Sequence, residues 1–176
     1  FMAKGVIPFG HRCALGSAGL QVNDYIACGF KNADVIICIG YDLVEYHPYL
    51  WHPTRDRCIV HIDHSPPEVD AHYPVAVGVK GDIRHSLKRI AARASPHQGH
   101  HMRPLRERLI AEMNQHRDDT EFPVKPQKII WDLRTALGLD DIVVCDVGAH
   151  KMWMARMFRC EQPNTCIISN DFAIMG

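Results

Sequence analysis

The residues with the clearest capacity for chemistry lie in the run Asp-Val-Gly-Ala-His, from Asp146 to His150. This run follows an apolar stretch and precedes a helical pattern. A glycine lets the backbone approach a ligand closely, and the first N–H groups of a helix attract an anion such as a phosphate. His150 would add a hydrogen-bond donor. By itself, the local pattern favours a plain strand-to-helix turn with a capping aspartate over such an anion site.

Polar residues also follow two earlier apolar runs, namely Gly40-Tyr41-Asp42 and Asp63-His64. In a parallel sheet, ligands bind beyond the carboxyl ends of the strands, so these residues are candidates for a binding site. The segment 16–19 could hold a nucleotide. However, the chain lacks the glycine-rich dinucleotide fingerprint and its distal acid, which favours ordinary turns.

Histidines cluster in two places. A polar linker carries His97, His100 and His101 without cysteine or acidic partners at ligand spacing. A solvated loop is therefore favoured over a metal site. Three further histidines around one apolar run are expected to be structural or to lie at the surface: His61, His64 and His72.

Apolar, β-branched runs alternate with helical patterns along the chain. Predicted strands span residues 33–40, 58–63, 75–79 and 142–146, and predicted helices span residues 82–94 and 127–137, with another helix around Leu105, Leu109 and Met113. Asp82 is placed to cap the first of these helices. The alternation predicts an α/β fold with a parallel, Rossmann-like sheet. The run 33–40 is continuous enough to predict a strand that is buried on both faces.

Two polar, proline-bearing breaks interrupt this alternation, at residues 95–101 and 118–126. The second break is the predicted domain boundary. It separates a parallel-sheet domain, residues 1–120, from the start of a second α/β domain, residues 121–176. The second domain is expected to be incomplete, because the chain stops where a further helix or loop would follow.

Composition narrows the class of protein. Twenty basic residues balance twenty acidic residues, which gives no support to a nucleic-acid partner. No apolar run approaches the ~20 residues of a membrane span. The seven cysteines form no C-x-x-C pair, and Cys38, Cys58, Cys145 and Cys166 sit inside apolar runs. That pattern predicts buried free thiols in a reducing compartment, either the cytoplasm or an organelle stroma.

Several blocks in a fixed order carry a family resemblance. The blocks are Ile39-Gly-Tyr-Asp-Leu-Val-Glu-Tyr46, Ile62-Asp63 with Glu68-Val-Asp70, Gly81-Asp82-Ile83, Asp146-Val-Gly-Ala-His-Lys-Met-Trp153, and Ile168-Ser-Asn170 to Met175-Gly176. Together they resemble the large, catalytic subunits of the acetolactate synthases, which depend on thiamine diphosphate. The strand that ends in Gly-Tyr-Asp is closest to the catabolic, flavin-independent branch, although the sequence leaves FAD binding open.

The resemblance implies three α/β domains in the complete enzyme, of which this chain would be the central domain followed by the start of the pyrophosphate-binding domain. It also implies cofactor-binding residues. Val147, Gly148, Ala149 and His150 would approach the diphosphate. Met175 would wedge between the two rings of the cofactor, and the Ala173 carbonyl would accept a hydrogen bond from its 4′-amino group. When a cofactor carries out the chemistry, the protein usually contributes preorganisation of this kind.

The reaction that the resemblance implies is the decarboxylation of pyruvate and its condensation with a second pyruvate, in a homo-oligomer (dimer or tetramer) that also binds Mg²⁺. The metal-binding segment is expected beyond Gly176, and the activating glutamate is expected in a preceding domain. No catalytic residue and no metal ligand is therefore predicted within this chain, and the isolated chain is predicted to be inactive. Asp171 departs from the family pattern, in which glycine is usual, and its carboxylate would repel a nearby diphosphate.

Two alternatives remain open at this point. One is another thiamine diphosphate-dependent decarboxylase or carboligase. The other is a non-catalytic nucleotide-binding module, since a Rossmann-like sheet is compatible with nucleotide binding.

Overall fold

The computed structural model describes residues 2–19, 25–44, 46–95 and 102–169. The chain divides into two compact units, one formed by Val22–His100 and the other by Phe1–Gln21 together with His101–Gly176. The described elements are α1 (Tyr25–Lys31), β1 (Val35–Ile39), α2 (Pro48–Trp51), β2 (Cys58–Asp63), β3 (Val75–Lys80), α3 (Ile83–Ala91), α4 (Arg103–Asn114), α5 (Pro126–Ala136), β4 (Val143–Cys145), α6 (Ala149–Met157) and β5 (Cys166–Ile168). The predicted domain boundary near residue 120 stays a prediction.

The unit Val22–His100 is built on a parallel sheet with the strand order β1-β2-β3. Ile36 is paired with Ile59, and Ile62 with Val79. β-Branched residues make up most of β1 and half of β2 and of β3, and such side chains pack well on a pleated surface. The predicted α/β fold with a parallel sheet is confirmed.

The burial of β1 differs from the prediction. Ile36 and Cys38 are buried, but Val35, Ile37 and Ile39 on the opposite face are each 45% exposed or more. Only the first face is covered, by a cluster that includes Trp51 and Tyr73. The expectation of burial on both faces was therefore wrong for β1. An unbroken apolar run indicates which residues can be buried. It does not indicate whether a second layer of structure covers the other face of the strand.

The central strand β2 is covered on both faces, because Ile59 and Ile62 are 0% and 1% exposed. Its first residue, Cys58, is exposed, which corrects the expectation of a buried thiol there. Cys58 is paired with Val35, so it lies on the face of the sheet on which Val35, Ile37 and Ile39 of β1 are exposed. Cys38, Cys145 and Cys166 are buried and free, as predicted.

Helix α3 begins where the sequence predicts. The Asp82 carboxylate accepts a hydrogen bond of 2.6 Å from the backbone N–H of His85. Such a cap satisfies one of the N–H groups that a helix start leaves without an intrahelical partner.

Replacing Asp82 with alanine is expected to lower the free energy of unfolding by about 1 kcal/mol, the usual loss for a helix cap. Urea titration of the chain measures this change in the free energy of unfolding. Asp118→Ala is the matched control, because the Asp118 side chain is 81% exposed and caps no helix. Equal midpoints for the two variants would contradict a stabilising cap.

The second unit packs helices α4, α5 and α6 around the short parallel pair β4-β5. Leu109 and Met113 of α4 are buried, which confirms the predicted apolar face of that helix. Phe158 is 0% exposed and follows directly after α6. The Arg134 guanidinium lies 5.1 Å from the centre of its ring.

No helix in the described ranges is long and apolar enough to cross a membrane.

Candidate functional site

The turn after β4 carries the residues that the sequence singles out. β4 ends at Cys145, Gly148 is the residue before the first turn of α6, and His150 is the second residue of that helix. The Asp146 carboxylate accepts a 2.7 Å hydrogen bond from the backbone N–H of Val147. Asp146 thus makes a bond within the turn, and the residue at the N-cap of α6 is Gly148. The local pattern favours an aspartate as the cap, whereas a glycine occupies the N-cap position.

Gly148 adopts a backbone conformation that favours glycine, with φ at 157°. A β-carbon added there would lie 2.6 Å from Cε1 and 2.8 Å from Nδ1 of His150. The imidazole ring thus folds back over the glycine. A side chain at Gly148 would be strained, and it would also push the His150 ring out of place.

The start of α6 has the properties of an anion site. Its N-cap residue, Gly148, has no side chain with which to cap it, and no acidic residue occurs in its first turn. Gly148, Ala149 and His150 are exposed, so a ligand can reach their backbone. Uncapped N–H groups at a helix start carry a partial positive charge that favours a phosphate. The donors present therefore fit a diphosphate.

The two strands of this unit end side by side. The backbone N–H of Ser169, just after β5, donates a 2.9 Å hydrogen bond to the Cys145 carbonyl oxygen at the end of β4. The predicted contacts of Ala173 and Met175 with the cofactor, and the position of Asp171, lie outside the described residues.

A separate cavity of about 200 Å³ opens at the carboxyl ends of β1 and β2. The sequence-predicted residues Gly40, Asp42 and Asp63 come together in its wall. Glu68 adds a third carboxylate, and among the residues that the structure describes no lysine or arginine lines the cavity. Carboxylates repel a diphosphate, so this wall is poorly suited to the pyrophosphate of a dinucleotide.

His61 lines the same cavity and is only 3% exposed. Its Nδ1 lies 2.9 Å from the Tyr73 hydroxyl, while its Nε2 has no hydrogen-bond partner within the described part of the chain. Burial raises the pKa of Tyr73, and a hydrogen bond with Cys38 raises it further. The sequence pattern predicts a structural or surface role for His61 and does not point to a cavity. Its place two residues before Asp63 on one strand, which puts both on the same face, was the signal for the cavity.

Across the described ranges, no group of three histidine, cysteine or acidic side chains could hold a metal ion. His97, His100 and His101 fall outside those ranges, so the prediction of a solvated loop there stays a prediction.

Comparison with known proteins places these features in context. Residues 1–90 match the family described as thiamine pyrophosphate enzyme, central domain. The chain is 30% identical to the acetolactate synthase of Bacillus subtilis (strain 168) over 92% of its own length and 29% of the relative. It is 29% identical to the catabolic acetolactate synthase of Raoultella terrigena over 92% of its own length and 30% of the relative. Identity to the acetolactate synthase isozyme 3 large subunit of Escherichia coli (strain K12) is 27%, over 99% of the chain and 32% of that subunit. The chain thus spans about 30% of the length of these curated relatives.

Proposed function

The chain belongs to the thiamine pyrophosphate enzymes, whose central domain it carries, and on this basis we propose that it forms part of an acetolactate synthase. The observation that carries the proposal is the extent of the similarity. The alignments with acetolactate synthases cover 92% of the chain or more, and so include both the sheet β1-β2-β3 and the turn that follows β4. The complete enzyme would act on pyruvate and join two molecules of it into 2-acetolactate.

The turn from Val147 to His150 would bind the diphosphate of thiamine diphosphate, another name for thiamine pyrophosphate. The exposed backbone at the start of α6 would donate hydrogen bonds to the phosphate oxygens, and His150 would add a donor above Gly148. When bound, thiamine diphosphate supplies the electron sink that the decarboxylation of pyruvate requires. This chain would hold and orient the charged end of the cofactor, so that the reactive ring of the cofactor is fixed against the substrate.

Further elements of the proposal rest on the family resemblance. Met175 would support the bent cofactor, and the Ala173 carbonyl would orient its 4′-amino group. The complete enzyme would also bind Mg²⁺, because a hard cation with oxygen ligands would neutralise the charge of the diphosphate. The activating glutamate would come from another domain. We also propose a homo-oligomer and a location in the cytoplasm or an organelle stroma, where free thiols stay reduced.

A chimeric enzyme tests the function. The aligned segment of the Bacillus subtilis acetolactate synthase is replaced by this chain, and acetolactate formation is measured from pyruvate with thiamine diphosphate and Mg²⁺. We expect activity that depends on both added cofactors. The isolated chain, assayed in the same way, is expected to form no acetolactate.

A folded, oligomeric chimera without activity would contradict the proposal. The chimera is therefore compared by size and thermal unfolding with the unmodified relative, so that a failure to assemble is recognised as such. Activity of the chimera with another 2-oxo acid in place of pyruvate would favour the alternative of a different thiamine diphosphate-dependent decarboxylase or carboligase.

The cavity at the ends of β1 and β2 is the observation that favours the second candidate, a nucleotide-binding module. Its position agrees with ligand sites of parallel sheets, but its three carboxylates oppose a diphosphate. Calorimetric titration of the chain with ADP, FAD and thiamine diphosphate separates the candidates. Tight binding of ADP by the isolated chain would support the module, whereas binding of FAD alone is compatible with both candidates.

A further inference from the structure

A second cavity, of about 290 Å³, opens in the unit that carries α4 and α6. Its wall combines two arginines, Arg106 and Arg159, with one carboxylate, that of Glu161. Three further residues of the wall are apolar, namely Phe9, Ile110 and Met113. Pockets for drug-sized ligands measure about 300–1,000 Å³. This cavity lies at the lower end of that range, so it suits a compact ligand.

Hydrogen bonds between distant segments bring the two arginines to this cavity. The backbone N–H of Phe9 donates a 2.8 Å hydrogen bond to the carbonyl oxygen of Cys160, the residue after Arg159. The Arg106 guanidinium donates a 2.8 Å hydrogen bond to the Phe9 carbonyl oxygen, and its central carbon lies 5.1 Å from the centre of the Phe9 ring. The backbone at Phe9 is therefore held between Arg106 of α4 and the residues that follow α6.

Both guanidinium groups keep hydrogen-bond donors for a ligand. The central carbon of the Arg159 guanidinium lies 4.1 Å from the centre of the Trp131 ring. Among the residues that the structure describes, none accepts a hydrogen bond from this guanidinium. Arg106 donates to the carbonyl oxygens of Phe9 and Ala14, and a guanidinium has more N–H groups than these two bonds use. A planar fork of N–H donors matches the two oxygens of a carboxylate.

The carboxylate in the wall limits which anion can bind. Glu161 Oε2 accepts a 3.0 Å hydrogen bond from the backbone N–H of Gly10, which holds this carboxylate at the cavity. The two guanidinium groups outnumber it, so the wall favours a ligand with a single negative charge. A phosphate dianion would be repelled more strongly by Glu161. The apolar part of the wall, which includes the buried Met113, favours a ligand that also has a hydrocarbon group.

We propose that this cavity binds a small monocarboxylate that carries a short hydrocarbon group. The carboxylate would accept hydrogen bonds from Arg159 and Arg106, and the hydrocarbon group would pack on the three apolar residues of the wall. Among the described residues that line the cavity, none belongs to the turn from Asp146 to His150. The inference is thus independent of the proposed function, and binding to the chain can be measured without enzymatic activity.

Calorimetric titration of the 176-residue chain with 4-methylpentanoate, at a fixed salt concentration, tests the proposal. We expect a single molecule to bind per chain. 4-Methylpentanamide has nearly the same shape and no charge, so it should bind at least about tenfold more weakly, because hydrogen bonds to charged groups are the stronger ones. Acetate, which lacks the longer hydrocarbon group, and inorganic phosphate should also bind more weakly than 4-methylpentanoate.

Variants identify the groups responsible. Arg159→Gln removes one positive charge and should weaken the binding of 4-methylpentanoate by about tenfold. Arg159→Lys keeps the charge without the planar fork, so it should weaken binding by less. Arg103→Gln is the matched control and should leave the affinity unchanged. Arg103 lies on α4 outside the cavity wall, its side chain is 73% exposed, and it is paired with Glu107.

Chemical labelling of the unsubstituted chain decides the matter even if a variant fails to fold. Phenylglyoxal adds to guanidinium groups, and peptide mapping measures its reaction at each arginine. We expect 4-methylpentanoate, but not its amide, to slow the labelling of Arg159 severalfold and to leave that of Arg103 unchanged. Absent binding of 4-methylpentanoate, or equally tight binding of its amide or of acetate, would overturn the proposal. So would an unchanged affinity in a folded Arg159→Gln chain, or protection of Arg103 as strong as that of Arg159.

Discussion

Replacing Gly148 with alanine in the chimeric enzyme is expected to raise the concentration of thiamine diphosphate needed for half-maximal activity by about ten- to a hundredfold. The new β-carbon would meet the His150 ring at 2.6 Å and would impose strain at a φ of 157°. Displacement of the ring and strain of this kind cost of order 1–3 kcal/mol, and roughly 1.4 kcal/mol corresponds to a tenfold change in affinity.

Gly81→Ala is the matched control for that substitution. Gly81 has a nearly identical φ of 153°, but no atom of the described residues lies within 4 Å of a β-carbon placed there. This variant carries the backbone strain without the clash, so it should lose stability and keep its affinity for thiamine diphosphate. If a folded Gly148→Ala enzyme needs no more cofactor than the unmodified chimera, the turn does not hold the diphosphate.

Replacing Phe158 with alanine is expected to lower the free energy of unfolding of the chain by about 3–5 kcal/mol, as for other buried aromatic side chains. The ring is 0% exposed and lies in the core between the helices and β4-β5. It also contacts the Arg134 guanidinium, which is 8% exposed. Truncation would open a cavity and remove the aromatic face beside that buried charge.

Urea unfolding followed by circular dichroism measures the effect. Phe122→Ala is the control, because the Phe122 side chain is 93% exposed and its removal should change the free energy by less than about 0.5 kcal/mol. A loss at Phe158 as small as at Phe122 would mean that the core does not depend on this ring.

Much of the fold could be predicted because local sequence and tertiary contacts agree. The run 58–63 contains the strand-forming residues Ile59, Val60 and Ile62, and β2 occupies the same positions. Asp82 followed by an apolar face predicts both the start and the cap of α3. The degree of coverage of β1 could not be predicted, because burial of Val35 or Ile37 depends on a neighbouring layer and not on the strand itself.

The candidate site could likewise be predicted from the sequence only in part. The turn from Asp146 to His150 could be recognised because its residues are contiguous and follow a strand. The contact of Lys4 with Ala155 could not, since it joins segments that lie far apart in the chain. A lysine near the amino terminus has no periodic or motif signal, and only the folded backbone brings it to helix α6.

The parallel pairing of every described strand has a kinetic consequence. No two neighbouring strands of these sheets are joined by a hairpin. Each pair of strands can therefore form only after the intervening segment has closed into a loop, as between Val35 and its partner Cys58. A loop loses conformational entropy when it closes, and the strand contacts that offset this loss form only afterwards. Chains rich in such distant pairings therefore fold slowly compared with helical bundles. Until the strands pair, their β-branched runs are exposed and can associate with other chains. Refolding yield should therefore fall as protein concentration rises, even under conditions in which the native chain is stable.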